Sequence, residues 1–287
     1  MSSGSSAKGS IEGTTKVVAV LGDPVDHSLS PRMHNAAFKE LGLDYVYVAF
    51  NPSKRTIGEA VRAVKHLNLA GLNVTVPYKQ DVIRHVDRLT PAAKAIGAVN
   101  TIYADGRKLI GNNTDAPGFT AALTAAGCRP RNKRVLVIGA GGAARAVIHA
   151  LVEARASDIV IANRTLRKAV RTAKDFGGAR AHIHAADLEI LDDFDFLDSR
   201  QLVVNTTSVG LKGGAFLDYD IKSTPEDCVH FDLAYGEKPT AFLDLAAKAK
   251  RPTIDGRHML VHQGALAFKL FTGRRAPIEV MSKAIGL

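Results

Sequence analysis

Short β-branched runs alternate with stretches of helical period along most of the chain. Lys16-Val-Val-Ala-Val-Leu21 reads as a buried strand ending in a Gly-Asp-Pro turn. Ser30-Pro31 places an N-cap before a proline at the first helical position, and Met33, Ala37 and Leu41 then recur at helical spacing until Gly42. Tyr45 to Phe50 predicts a strand. Ile57, Val61, Val64 and Leu67 predict a helix closed by Gly71, followed by a strand from Leu72 to Val76 and a third helix from Tyr78 to Val86. Thr90-Pro91 repeats the cap-and-proline start for a short helix that Gly97 ends. Asp105-Gly106, between apolar runs at 98–103 and 108–111, signals a hairpin. An alanine-rich helix follows Asp115 and stops at Gly127.

The polar, basic stretch Cys128 to Arg134 connects to a second βαβ unit. It comprises a strand at 135–138, a glycine loop, a helix to about Ala154, a strand at 158–162 and a helix from Thr165 to Phe176. Strands are expected near 180–184, 201–205 and 228–233. A terminal helix from Arg257 to Phe271 ends at Gly273, and Pro277 opens the last one. Such alternation predicts two α/β units with mostly parallel sheets, and 287 residues suit two domains. Residues 1–13, rich in Ser and Gly and without an apolar core, are expected to be a disordered arm or a cloning remnant.

Composition narrows the class. Hydrophobic residues are 46% and charged ones 23%, which excludes a disordered or fibrous chain. Lys+Arg 38 against Asp+Glu 28 leaves +10, compatible with nucleic acid, an anionic membrane or a small anionic ligand. The most obvious uncharged run, Val135 to Ala144, is ten residues long and holds three glycines, whereas a membrane span needs about 20 apolar residues. The excess charge is scattered, aromatics are 6% and tryptophan is absent, so neither nucleic acid nor membrane is expected as partner. Cys128 and Cys228 fit neither a disulfide framework nor a metal knuckle; a reduced, cytoplasmic protein is expected.

Arg134-Val-Leu-Val-Ile-Gly139-Ala140-Gly141-Gly142-Ala143-Ala144 is a strand running into G-x-G-x-x-A. Gly139 permits the tight turn, Gly141 lets the backbone approach a pyrophosphate, and Ala144 lets the helix pack closely while its N-terminus offers N–H groups to the anion. An acid about 20 residues onward would hold the 2′-hydroxyl of NAD. Here Asn163-Arg164-Thr165 stands 24 residues after Gly139, with Lys168 one turn beyond Arg164. A guanidinium grips a 2′-phosphate that a carboxylate would repel, so the expected cofactor is NADP. Arg167, Arg171 and Lys174 read as a solvated helix face.

A second polar set lies in the N-terminal half: His27-Ser28-Leu29-Ser30-Pro31, Asn73-Val-Thr75-Val-Pro-Tyr-Lys79, Asn100-Thr101 and Asn113-Thr114-Asp115. With GDPVDHSLSPRMHN, GLNVTVPYK, GAVNT, GNNTDAPG, VLVIGAGGAARAV, ANRT, VVNTTSVGL, FDLAYGEKPTAFL and DGRHMLVHQGALAF, the chain strongly resembles the shikimate dehydrogenase family from Val17 to Gly273. The resemblance implies an N-terminal α/β substrate domain (14–115, completed by C-terminal helices at 256–287) and a Rossmann-type, doubly wound, parallel-sheet NADP domain (116–255). It implies NADPH reduction of 3-dehydroshikimate to shikimate, within aromatic amino-acid biosynthesis, by a monomer or homodimer. Lys79 would be the general acid/base at the C3 oxygen, with Asp115 paired to it and to the C4 hydroxyl. Ser28, Ser30 and Tyr235 would hold the carboxylate, and Asn73, Thr75, Asn100 and Gln263 the ring hydroxyls. Gly139, Ala140, Gly141, Gly142, Ala143, Asn163, Arg164, Thr165, Lys168, Leu233, Gly256 and Met259 would border NADP. The chain departs from many relatives at Arg257-His258, at Phe271 and at Gly236.

The chemistry of these residues agrees. Hydride delivery to a ketone builds charge on oxygen, and an ammonium can stabilise and then protonate it. As a mere surface residue at a helix start, Lys79 would oppose the helix dipole without benefit. Asp115 suits an N-cap for the helix near Pro117, a role compatible with catalysis. His258 and His262 stand i,i+4, but the intervening residues lack a Glu and no third ligand is evident, so no metal is expected. His27 and His34 read as packing or capping partners, and His182 and His184 as one exposed strand face. The rival readings are a quinate/shikimate dehydrogenase with relaxed substrate or NAD use, and a non-catalytic NADP(H) sensor.

Overall fold

A computed structural model describes residues 11–178, 182–210, 214–236 and 238–287. Residues 1–10 of the leader, the start of the strand expected near 180, and Leu211 and Glu237 of two blocks quoted above lie outside the described residues. The chain divides into two compact units. One runs to Thr114 and resumes over Gln263–Leu287; the other is Asp115–His262.

The first unit opens with β1 (Lys16–Leu21), α1 (Ser30–Glu40), β2 (Tyr45–Phe50), α2 (Ile57–His66) and β3 (Gly71–Val74). It continues through β4 (Arg88–Leu89), α3 (Pro91–Ile96), β5 (Thr101–Asp105) and β6 (Lys108–Asn112). The sheet order is β2-β1-β3-β5-β6-β4, with parallel pairs around β1 and antiparallel pairing of β5 to both β3 and β6. Ala19, Leu21, Val61, Leu72, Val74 and Ile102 join one buried cluster, which is what the alternation of apolar runs required. The Thr90 hydroxyl caps α3 by accepting from Ala93 N, and Gly97 closes it at φ 67°.

Three local expectations are corrected. Ser30 is the first residue of α1 and Leu29 its cap, because Leu29 is already helical; the Ser28 hydroxyl accepts the Ser30 N–H instead, at 3.3 Å. α2 ends at His66 and Leu67 caps it; the following Asn68, at φ 51°, lets the Leu69 N–H reach back to the Val64 carbonyl, so Gly71 belongs to β3. Tyr78 to Val86 gives only a 3-10 turn, Asp81–His85. The Lys79 carbonyl, which an α-helix would need, accepts from Val99 N at 2.7 Å.

The second unit contains α4 (Asp115–Ala125), β7 (Arg134–Ile138), α5 (Gly142–Glu153), β8 (Asp158–Ala162), α6 (Leu166–Phe176) and β9 (His182–Ala186). After α7 (Phe194–Asp198) come β10 (Leu202–Asn205), β11 (Val229–Asp232), α8 (Ala241–Lys248), β12 (Thr253–Ile254) and α9 (Gly256–Thr272). Every strand pair is parallel, in the order β12-β11-β10-β7-β8-β9. Counted from β7, that is the 6-5-4-1-2-3 arrangement of a doubly wound dinucleotide-binding sheet. Arg145 ties α5 to α6 through Asp175 at 2.7 Å and through the Phe176 ring, 5.0 Å away. The division between the units falls inside α9, and α10 (Ile278–Ala284) packs on α1 in the first unit.

Candidate active site

In the first unit three of the expected substrate residues, Asn73, Asn100 and Gln263, share a buried network of amides and hydroxyls. The Tyr47 hydroxyl donates to Asn73 Oδ1 at 2.7 Å. Asn73 Nδ2 donates to the Asn100 carbonyl and to Thr101 Oγ1, both at 3.1 Å. Thr101 Oγ1 donates to Asn100 Oδ1 at 2.9 Å, which also takes the Thr114 N–H at 2.7 Å. Asn100 Nδ2 then donates to Thr114 Oγ1 at 2.9 Å and to Gln263 Oε1 at 3.1 Å. Asn73, Asn100, Thr101, Thr114 and Gln263 are all buried, so each bond is made where an unmet partner would be costly.

Around this network Lys79 is half-buried, and the Val99 bond to its carbonyl fixes its backbone next to Asn100. Thr75 is half-buried and donates its N–H to Leu21 at the end of β1. Ser30 is buried and Ser28 half-buried. His34 lies fully buried and parallel to the Tyr47 ring, 4.4 Å between centroids, and burial pushes its imidazole down to about 3. It is neutral and packs, whereas His27 is exposed.

In the second unit the glycine loop leaves β7 at its carboxyl end, where α/β sheets bind ligands. Gly139 has φ 111°, and a Cβ there would sit 2.4 Å from Thr206 Oγ1. At Gly141 no atom of the described residues beyond its chain neighbours lies within 4 Å of such a Cβ, so the position is open. The first turn of α5 carries no acidic residue. Ala140, Gly142 and Ala143 are half-buried along the loop. β8 ends at Ala162 with no carboxylate following; Asn163 Nδ2 donates to the Thr165 carbonyl at 2.9 Å, and Arg164, Thr165 and Lys168 are exposed. These features fit a dinucleotide carrying an extra phosphate on its ribose.

Asp115 is buried at the start of α4, and Leu233 and Tyr235 are half-buried beyond β11. Gly256 is packed so closely that a Cβ would meet the Leu233 carbonyl at 2.5 Å. Met259 is buried. Arg257 is held by Asp255 through Nε at 3.1 Å and Nη2 at 2.9 Å. His258 is exposed, and His262 is lowered by burial and then by the charge of His258.

Sequence reasoning assigned no role to Asn205 or Asp232. Both are fully buried at the carboxyl ends of β10 and β11, joined by Asn205 Nδ2 donating to Asp232 Oδ1 at 2.9 Å. Asp232 also accepts from Thr240 Oγ1 at 2.5 Å, and its desolvation pushes the carboxyl up to about 6. The signal was present: LVVN and VHFD each end an apolar strand in a polar residue.

Residues 20–102 match the shikimate dehydrogenase substrate binding domain, 122–209 the shikimate / quinate 5-dehydrogenase domain, and 256–285 the shikimate 5'-dehydrogenase C-terminal domain. A shikimate dehydrogenase (NADP(+)) of Carboxydothermus hydrogenoformans is 42% identical over 279 residues, covering 96% of this chain and 99% of that protein. The chain belongs to the shikimate dehydrogenase family. Within that family it is also similar to the solved shikimate 5-dehydrogenase of Thermus thermophilus in complex with NADP(H) and shikimate. That likeness has a TM-score of 0.84 at 38% identity, over 94% of this chain and 98% of the other. The quinate dehydrogenase of Corynebacterium glutamicum in complex with NAD shares the fold at TM-score 0.84 and 28% identity, over 94% and 98%. Lys79, Asn100, the glycine loop, Arg164 and Gln263 fall inside the matched family segments; Asp115 and Tyr235 fall between them.

Proposed function

We propose that this protein is an NADP-dependent shikimate dehydrogenase, an oxidoreductase that reversibly reduces 3-dehydroshikimate to shikimate. The observation that carries the reading is Lys79, anchored through Val99 beside the buried amide–hydroxyl network of the first unit. The names and bound ligands of the relatives support it. We assign substrate binding to the unit that holds Lys79, together with Asp115, and cofactor binding to the rest of Asp115–His262.

When bound, NADPH supplies a hydride. Lys79 Nζ gives a proton to the substrate oxygen that gains charge and takes it back in the reverse direction. Its ammonium form also stabilises that oxygen before the transfer. Asp115 accepts a hydrogen bond from a neighbouring ring hydroxyl. Ser28 and Ser30 bind the substrate carboxylate, and Thr75, Asn100 and Gln263 the hydroxyls. Gly141 and the α5 N-terminus hold the pyrophosphate, while Arg164 and Lys168 hold the 2′-phosphate.

No helix among the described residues is long and apolar enough to cross a membrane. Cys128 and Cys228 are buried free thiols, which suits the reducing cytoplasm in which we place this enzyme, acting as a monomer or homodimer. The quinate reading keeps its place because a quinate dehydrogenase has the same fold, but the absence of a carboxylate after β8 favours NADP. Initial rates with shikimate and quinate, each under NADP+ and NAD+, test both. Shikimate with NADP+ is expected to be fastest. No change at the reduced-nicotinamide absorbance band with that pair would overturn the assignment and favour a sensor.

A further inference from the structure

We infer that Tyr47 is a positioning residue for substrate, acting through Asn73 on Asn100 and Gln263; the inference rests on the function proposed above. Tyr47 is 1% exposed, so its hydroxyl meets no bulk water. Its place is fixed twice from α1. Asn35 Oδ1 accepts the Tyr47 N–H at 2.8 Å while Asn35 Nδ2 donates to the Tyr47 carbonyl at 2.9 Å, and the His34 ring lies against the phenol at an interplanar angle of 13°.

From that fixed point the order of donors allows no choice. The Asn100 carbonyl only accepts, so Asn73 Nδ2 must face it and Asn73 Oδ1 must face the phenol, which supplies the proton. Both ends of the Asn73 amide are therefore engaged inside the protein. It serves as a buttress for the site, while its Oδ1 keeps a second lone pair for the ring hydroxyl that the resemblance implied. What it holds is the Asn100 main chain and Thr101, and Thr101 in turn holds Asn100 Oδ1. Asn100 Nδ2 then engages Gln263 Oε1. The last two members are residues we assign to the substrate hydroxyls, so slack introduced at the phenol is felt as substrate affinity.

The test is kinetic. Tyr47→Phe keeps the ring and its stack on His34 but leaves Asn73 Oδ1 without its donor. The KM for shikimate is expected to rise about tenfold, as slack in Asn100 and Gln263 weakens a hydrogen bond to the substrate, with the KM for NADP+ within about twofold. Thr101→Val, cutting the same chain one link onward, is expected to show the same split and serves if the first variant folds poorly. In a Gln263→Ala background the effect of Tyr47→Phe is expected to shrink at least about threefold, since the group being aligned is gone. An unmoved shikimate KM in both single variants, or an undiminished effect in the Gln263→Ala background, overturns the inference. If the wild-type protein itself does not oxidise shikimate with NADP+, the proposed function fails and this inference falls with it; wild-type turnover with the contrary variant results overturns Tyr47 alone.

Discussion

Lys79 and Arg164 illustrate two ways in which a single cation is put to use. Lys79 sits half-buried with its main chain tied to Val99, and in the proposed mechanism its loss removes the proton donor. Lys79→Ala is expected to lower kcat by about 10²- to 10⁴-fold, with an unchanged far-UV dichroism spectrum as the check on folding. Arg164 is exposed beyond β8, and the role proposed for it is to hold one ligand group by charge and fork geometry. Arg164→Ala is expected to raise the KM for NADP+ about 10- to 100-fold while leaving that for NAD+ nearly unchanged, so the ratio of the two in steady-state assays is the deciding quantity. The polar residues to which these roles are assigned stood out in the sequence because nothing in their local structure required them. Asn205 and Asp232 were not singled out, since a polar residue closing a strand also reads as an ordinary turn.

Among the elements, the loop between β7 and α5 separates two uses of glycine. Gly139 is required by the fold: at φ 111° and with Thr206 against it, Gly139→Ala is expected to cost about 1–3 kcal/mol in denaturant unfolding. Gly141 is not required by the fold in this way, since its Cβ position is open, and the role proposed for it is to let the pyrophosphate approach. Gly141→Val is expected to keep the unfolding midpoint and to weaken NADP+ binding at least tenfold by titration. The strands β1, β2, β7, β8 and β10 were legible because each is an apolar run bounded by turn residues. Elements settled by tertiary partners were not. The 3-10 turn after Tyr78 replaces a helix because Val99 claims the Lys79 carbonyl, and β4 is two residues long. α8 did carry a signal, the Thr240 cap accepting from Leu243 N, but its flank of small residues hid the period.

For the molecule as a whole, buried ionisable groups set the acid side of stability. His34 and His230 are pushed by burial to about 3 and about 4, below the unfolded value of 6.5, so their contribution is present above pH 6.5 and lost as pH falls through those values. Asp232, raised to about 6 from 3.8, works in the opposite sense: its contribution is present below 3.8 and lost as pH rises through 6. These two imidazoles and one carboxyl leave a net uptake of about one proton on unfolding near pH 5, or about 1.4 kcal/mol per pH unit, and His149 and His262, also lowered by burial, add to it in the same sense. The melting temperature is therefore expected to fall from pH 6.5 to pH 4.5, and more steeply in Asp232→Asn, as followed by calorimetry. A level or rising profile would contradict this. The Asn35 amide has a further effect, on solubility. β2 ends its sheet, and the exposed flank of a terminal strand is a template onto which another polypeptide can zip. By engaging both the N–H and the carbonyl of Tyr47, one side chain of α1 impersonates a short piece of that intruder and occupies its berth. The same asparagine that steadies the phenol thus also guards the molecule against stacking on its own copies.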